Sequence, residues 1–295
     1  MRRRETRNLY YRPLPGKPIN IRRQLRKLRF RLSRKRQNIL LSHHDGEYFA
    51  VFTSDRIISR RVYLRGNFEF WKVEKALALL GREFQLDHLI DVGANIGTVC
   101  IPAVRRGLAR RATAIEPAPD NYRLLIANIY LNDLASAITT HNVALVAGTE
   151  RTVGLALSAR NSGDHRAFTI SSSNQSDTDH RDHVVVPADT FDNLIPDLDP
   201  RSSLVWMDTQ GYEGFILSAA HRITSQCVPM VVEFWPQAMR RSGCYDQLKS
   251  ALMGYKTFYN LNSQRSAATA MSAAALDELT QRLSGPEDQT DLLIV

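Results

Sequence analysis

The run Leu89-Ile90-Asp91-Val92-Gly93-Ala94-Asn95-Ile96-Gly97 reads as an apolar strand that turns directly into a glycine-punctuated helix start. A helix N-terminus offers unpaired backbone N–H groups, and glycines let a ligand come close to the main chain. Asp91, at the strand end, is placed for a cationic group. The next apolar segment, residues 112–116, ends on Glu116 just before Pro117. A carboxylate there can accept both hydroxyls of a ribose, as in dinucleotide folds. The spacing separates the candidate ligands. A dinucleotide fingerprint, G-x-G-x-x-G, needs a glycine at position 98, which is Thr98 here, and the P-loop pattern is absent. A phosphate-free, positively charged cofactor fits the acidic strand end better than NAD does.

Outward from this run the chain keeps a strand-then-helix rhythm. Seven strands are expected, at residues 88–92, 112–116, 138–145, 204–208, 230–234, 256–261 and 291–295. A helix over 119–131 would bury Tyr122, Leu125, Ile126 and Ile129, and another is centred on Leu276, Leu279 and Leu283. Apolar strands alternating with helices indicate an α/β fold with a mostly parallel sheet covered on both faces. The last two strands pair antiparallel. Before them, residues 47–65 alternate in a strand-like way, Gly66-Asn67 closes that piece, and a helix follows from Trp71 to Leu80. Residues 171–183 are Ser/Asp-rich and read as a loop or lid.

The formal charge of +9 is uneven. Residues 1–36 hold fifteen Lys or Arg against one acid, Glu5, so this segment carries +14 and the rest of the chain −5. Within it, Ile21, Leu25, Leu28 and Leu32 share one face of a helix that Asn20 would cap, with basic residues on the other faces. Its two readings are a solvated extension or helix resting on its own domain, and attachment to an anionic membrane surface or an acidic partner. The body's mild acidity argues against a nucleic-acid binder. No apolar run spans a bilayer, the N-terminus lacks a signal-peptide core, and Cys100, Cys227 and Cys244 have no metal-ligand spacing; a cytoplasmic protein, peripheral to a membrane at most, is expected. The expected division is a basic tail at 1–45, a strand/helix extension at 46–80 and a cofactor-binding domain at 81–295.

"DVGANIG" (91–97), "AIEPAPDNYRLLIANIYLND" (114–133) and "MDTQGYEGFILSAA" (207–220) together resemble the FkbM family of methyltransferases, as does "SDRIISRRVYLRGNFE" (54–69). The resemblance implies a Rossmann-like class I methyltransferase fold using S-adenosylmethionine (SAM), usually acting on a hydroxyl of a sugar or natural product. The family's motif residues fall on Asp91, Gly93, Asn95, Gly97, Glu116 and Asp208. Members often have Asp-Val-Glu-Gly where this chain has Asp208-Thr209-Gln210-Gly211, so no carboxylate stands at 210.

Methyl transfer to an alcohol needs alignment of the acceptor and removal of its proton, work for a general base. The strand ends supply Asp208, Glu213 and Glu233 as candidates, with Tyr212 and Trp235 as stacking surfaces. Each acid also has a structural reading: a turn anchor for Asp208, a helix-start charge for Glu213, a hydrogen-bond partner for Glu233. The histidines form no zinc cluster, so no metal is expected. A [DN]-P-P-[YF] motif for base methylation is absent after the fourth strand, and Cys227-Val228-Pro229 is not a C5-methylation nucleophile. The main expectation is a small-molecule or glycan acceptor. A SAM-binding or membrane-tethered interaction protein that has lost catalysis is the alternative, because of Gln210, and a nucleic-acid methyltransferase is the third reading.

Overall fold

The computed structural model describes residues 21–33, 38–159, 161–168 and 181–295. Helix α1 (Ile21–Ser33) is followed by the hairpin β1 (Ile39–His44) and β2 (Glu47–Phe52), then helices α2 (Ile58–Arg65) and α3 (Trp71–Leu80). Next come β3 (His88–Val92), α4 (Cys100–Arg105), β4 (Arg111–Ile115), α5 (Pro119–Leu131) and β5 (Ile138–His141). A smaller block follows: β6 (Ala144–Leu145), β7 (Thr152–Leu157), β8 (Arg166–Phe168), β9 (Asp182–Asp189) and α6 (Phe191–Leu194). The remainder starts with β10 (Ser203–Met207), α7 (Glu213–Ala219), α8 (His221–Ser225), β11 (Met230–Phe234), α9 (Pro236–Ser242) and α10 (Tyr245–Leu252). It ends with β12 (Thr257–Asn260), β13 (Ala268–Ala270), α11 (Ala273–Arg282) and β14 (Thr290–Ile294).

The main sheet has the order β13-β12-β14-β11-β10-β3-β4-β5. It contains all seven expected strands, with β13 as an added edge. Strands β5, β4, β3, β10 and β11 run parallel, while β14 is antiparallel to both β11 and β12. This is the Rossmann-like α/β arrangement. Every residue of β3, β10 and β11 is buried, which is why each reads as an unbroken apolar run. Alternate residues feed two cores. Leu89, Leu204, Val231 and Leu293 join Ile101 and Leu125 on one face, and Ile90, Val205, Val232 and Leu292 join Ile216 and Leu248 on the other. After β3 the chain builds outward through β4 and β5, then returns to lay β10 against the opposite edge of β3. The loops leaving β3 and β10 therefore part, and a crevice opens at their carboxyl ends.

Several expectations are corrected. Residues 58–65, expected to continue a strand, form α2, because Asp55 accepts hydrogen bonds from the Ile57 and Ser59 N–H groups and starts the helix. The expected strand 138–145 is cut at Asn142, whose amide donates to the Glu116 and Pro117 carbonyls. Its last residues, β6, open a second sheet, β6-β9-β7-β8, that the sequence did not announce. Residues 171–180 of the expected loop lie outside the described residues, as does Asn20, while Asp182 and His183 belong to β9. Strands β1 and β2 pair as an antiparallel hairpin, and Phe30, Leu40 and Phe49 share one core with Ile101 and Leu125.

On α5, Tyr122 and Ile126 are only half-buried, while Leu124 and Asn128 are deep. Asn128 accepts from the Ala50 N–H at 2.6 Å and donates to the carbonyls of Ala50 at 3.2 Å and Ile96 at 2.9 Å. One turn on, Asn132 accepts from the Tyr48 N–H at 2.9 Å and donates to the Tyr48 carbonyl at 2.7 Å. Two side-chain amides thus satisfy the free edge of β2, where unpaired backbone groups would otherwise be buried. Asn128→Ala is expected to destabilise the fold by about 2–3 kcal/mol, and Asn132→Ala by about 1 kcal/mol, because the first strands more buried groups. Denaturant unfolding at constant m-value measures both.

Candidate active site

The crevice is built first from the loop after β3. Gly93 has φ +86°, and a Cβ there would lie 2.0 Å from the Asp208 carbonyl oxygen, so only glycine lets the β3 and β10 loops meet. The Asp208 N–H closes the junction by donating to the Val92 carbonyl at 3.0 Å. Asp91 accepts from the Cys100 N–H at 3.0 Å and so holds the start of α4. Glu116 accepts from the N–H groups of Asn95 and Ala118, each at 2.8 Å, which ties the glycine loop to the end of β4. Gly97, with φ +92°, leaves room for Ile101 and Leu125.

Asp91 and Glu116 both line the crevice and are almost fully buried. Burial pushes each carboxyl up to about 7. The Cys100 N–H works against this at Asp91, and those of Ala118 and Asn95 at Glu116. The apo site thus holds two carboxyls that would ionise readily beside a cation.

The second loop, residues 208–213, carries the three acids proposed as bases. Asp208 lines the crevice, whereas Glu213 and Glu233 do not. Glu213 accepts from the Thr209 N–H at 2.7 Å and the Gly211 N–H at 3.4 Å, so it shapes the loop at the start of α7. Gln210 donates from its one amide nitrogen to Asp208 at 2.6 Å and to Glu233 at 3.0 Å. Burial raises Asp208 to about 6, against the Gln210 hydrogen bond. Burial, with the charges of Asp208, Glu213 and Asp291, pushes Glu233 well above the carboxylate range. Burial likewise brings Glu213 to about 7. Tyr212 reaches the crevice. Trp235 does not: its indole N–H donates to the Pro286 carbonyl at 2.9 Å.

Several crevice residues were not singled out from sequence. Lys72, on α3, pairs with Glu69 at 2.6 Å and Asp291 at 2.5 Å. Burial opposes its charge, but Asp291 and Glu69 outweigh that and raise its pKa. The Ser162 carbonyl accepts from Asn95 at 2.7 Å and Asn121 at 2.8 Å, and the Ser162 hydroxyl donates to Asp55 at 2.7 Å. The segment between β7 and β8 is thereby bound to both sides of the cofactor loop. His165 also faces the crevice, where burial lowers its pKa to about 4 and keeps it neutral.

The crevice is partly open to solvent. Its donor set fits SAM. Asp91 and Asp208 present negative charge to a sulfonium and an ammonium, and Glu116 to a ribose diol. The apolar wall of Ile115, Pro117, Val143 and Leu145 suits an adenine. Lys72, the crevice's Lys or Arg among the described residues, is neutralised by two acids, so a pyrophosphate finds no counter-charge there. Fold and site together define a methyltransferase of the SAM-dependent class.

The comparisons narrow this. The profile of a family described as "Methyltransferase FkbM domain" matches residues 91–246, over half of the chain, and the chain belongs to that family. No curated protein matches the chain significantly. Among solved structures, methyltransferase FkbM from Methylobacillus flagellatus KT is 15% identical, with TM-score 0.45. The alignment covers 93% of this chain and 59% of that one. M. jannaschii TYW2, solved in complex with AdoMet, is 12% identical with TM-score 0.38 over 88% of this chain and 85% of that one. Likenesses of this size say nothing about a substrate.

The raised carboxyls give the cofactor site a pH signature. A carboxyl whose folded pKa lies above its unfolded value binds protons more tightly when folded, so the apo protein loses stability as pH rises through about 4 to 7. A cationic ligand favours the ionised form. SAM binding is therefore expected to release protons near pH 6–7 and to tighten with pH up to about 7. Calorimetry in buffers of different ionisation enthalpy measures both. Glu116→Gln is expected to weaken binding by roughly tenfold or more and to flatten the pH dependence.

Proposed function

We propose that this chain transfers the methyl group of SAM to a hydroxyl of a sugar, glycan or natural product. The observation that carries the reading is the carboxyl of Asp208, facing the crevice at the end of β10 with a pKa of about 6 and clamped by the Gln210 amide. SAM supplies an activated methyl on a sulfonium, which needs no further activation by the protein.

The protein's work is then to orient the acceptor, exclude water and take one proton. With SAM bound, Asp208 would accept the acceptor's hydroxyl proton as that oxygen takes the methyl carbon and the sulfonium C–S bond breaks, leaving a neutral thioether. Glu233, held neutral by burial and its acidic neighbours, keeps the hydrogen-bonded pair at a single negative charge. Gln210 extends that role, since an amide donor binds two carboxyl groups where a third carboxylate would repel them. This supports turnover over the reading of a SAM-binding protein that has lost catalysis: the missing acid at 210 leaves a base in place. Phe68, Trp206 and Tyr212 line the crevice and give it aromatic walls. The neutralised Lys72 disfavours an acceptor that must place a phosphate group inside the crevice.

Asp208 acts as the ionised form, so activity is lost as pH falls through its pKa. At saturating SAM, the expected profile of kcat/KM for the acceptor rises with unit slope and levels off above about 6. Asp208→Asn is expected to lower kcat by roughly 10²–10⁴-fold and to remove that limb. A panel of sugars and hydroxylated natural products with methyl-labelled SAM, the product bond assigned by NMR, checks the reaction class. Methylation at nitrogen or carbon, or full activity of Asp208→Asn, would overturn the proposal.

A further inference from the structure

Helix α1 is amphipathic, yet its leucines do not pack on the protein. Phe30 is 3% exposed and enters the core beside Tyr63, with ring centroids 5.5 Å apart. Four residues earlier, the Arg26 guanidinium hydrogen-bonds the His44 ring and lies 6.0 Å from the Tyr63 ring centre. These residues fix one side of the helix to α2 and β1. Leu25, Leu28 and Leu32 stand on the opposite side at a spacing of three and four, exposed to 60%, 43% and 58%. A helix merely resting on its domain would turn this stripe inward. Here the fold holds it outward.

The surroundings of the stripe are basic. Helix α1 contains no acid, and Arg23, Arg29 and Arg31 are exposed on it. Leu28 also borders a groove that takes Lys27 and Arg31, one turn apart on α1, with Arg56 from the turn before α2 and Arg60 from the first turn of α2. Four cations from two segments thus line one groove beside three outward leucines. The segment 1–20 adds Lys or Arg at six positions against Glu5.

We propose that α1 and the start of α2 form a docking surface for an anionic lipid bilayer. Leu25, Leu28 and Leu32 enter the acyl boundary, and the Lys27, Arg31, Arg56 and Arg60 groove takes the phosphate headgroups. Charge complementarity selects this occupant. A second copy of the chain would meet the same cations. A nucleic acid would use the basic groove and leave the leucines in water. Basic residues flanking an apolar helical face are what an interfacial helix needs, and each Lys or Arg at an anionic surface contributes roughly fivefold.

The test uses the full chain with vesicles of phosphatidylcholine, alone or with roughly 30 mol% phosphatidylglycerol, followed by flotation. The expected result is at least tenfold stronger binding to the anionic vesicles, weakened by salt. The variant Leu25→Gln, Leu28→Gln, Leu32→Gln is expected to lose about tenfold or more, and so is Lys27→Gln, Arg31→Gln, Arg60→Gln. Both keep the wild-type melting temperature and SAM affinity, since none of these residues lines the crevice. Equal binding to neutral and anionic vesicles, or none to either, overturns the proposal. So does a leucine variant that floats like wild type, whether its mass by light scattering falls (a self-association face) or an RNA oligonucleotide displaces it from vesicles (a nucleic-acid face).

Discussion

The loops that leave β3 and β10 touch at one point, where Gly93 lies against the carbonyl of Asp208. Any side chain there would sit 2.0 Å from that oxygen, so the two loops meet only because Gly93 has none and holds φ at +86°. The Asp208 N–H then completes the junction on the Val92 carbonyl. Asp91 and Asp208, which arise more than a hundred residues apart, become neighbours through this contact, and the charge of Asp208 contributes to raising Asp91. Separating the loops would dissolve the crevice without disturbing either core.

A set of largely buried carboxyls in and behind one crevice is tolerable because each is answered locally. Backbone N–H groups at Cys100, Asn95, Ala118 and Thr209 answer Asp91, Glu116 and Glu213, the Gln210 amide answers Asp208 and Glu233, and Lys72 answers Glu69 and Asp291. None of these donors in the two loops is a full cation. The loop acids are therefore left close to the point of ionising, and a cationic ligand completes what the protein has only half neutralised. The same property explains why Lys72 is kept apart on its own pair of acids: a loose ammonium there would compete with the ligand.

What could be read from the sequence follows from how each part uses its side chains. The main sheet was legible because its central strands are buried on both faces and present unbroken apolar runs. The second sheet was not, because β9 alternates around a half-exposed face and β8 is three residues long. Residues 58–65 hid a helix behind β-branched Ile58 and Val62, and the available signal was Asp55, a helix starter two residues before Ile57. The cofactor acids were readable from motif spacing, but nothing local marks Asn121, Asn128 and Asn132 as amides that pair with a distant backbone. Lys72 failed for a similar reason, since its partner Asp291 comes more than two hundred residues later. Among the three candidate bases, spacing could not separate the acid that faces the crevice from two that shape or support its loop.

The position of β14 carries a consequence for biogenesis. Residues 290–294 pair on one side with β11 and on the other with β12, whose register partners lie some thirty to sixty residues earlier. A nascent chain that has produced both of those strands still lacks the one that joins them, and each offers an unpaired edge in the meantime. The glycine loop, β3, β4 and β5 can assemble from sequence already made, whereas the half of the sheet beyond β11 closes only once its last partner has emerged. Folding on the ribosome should thus leave an open-edged intermediate with the cofactor half ordered first, and that intermediate is where a chaperone would act.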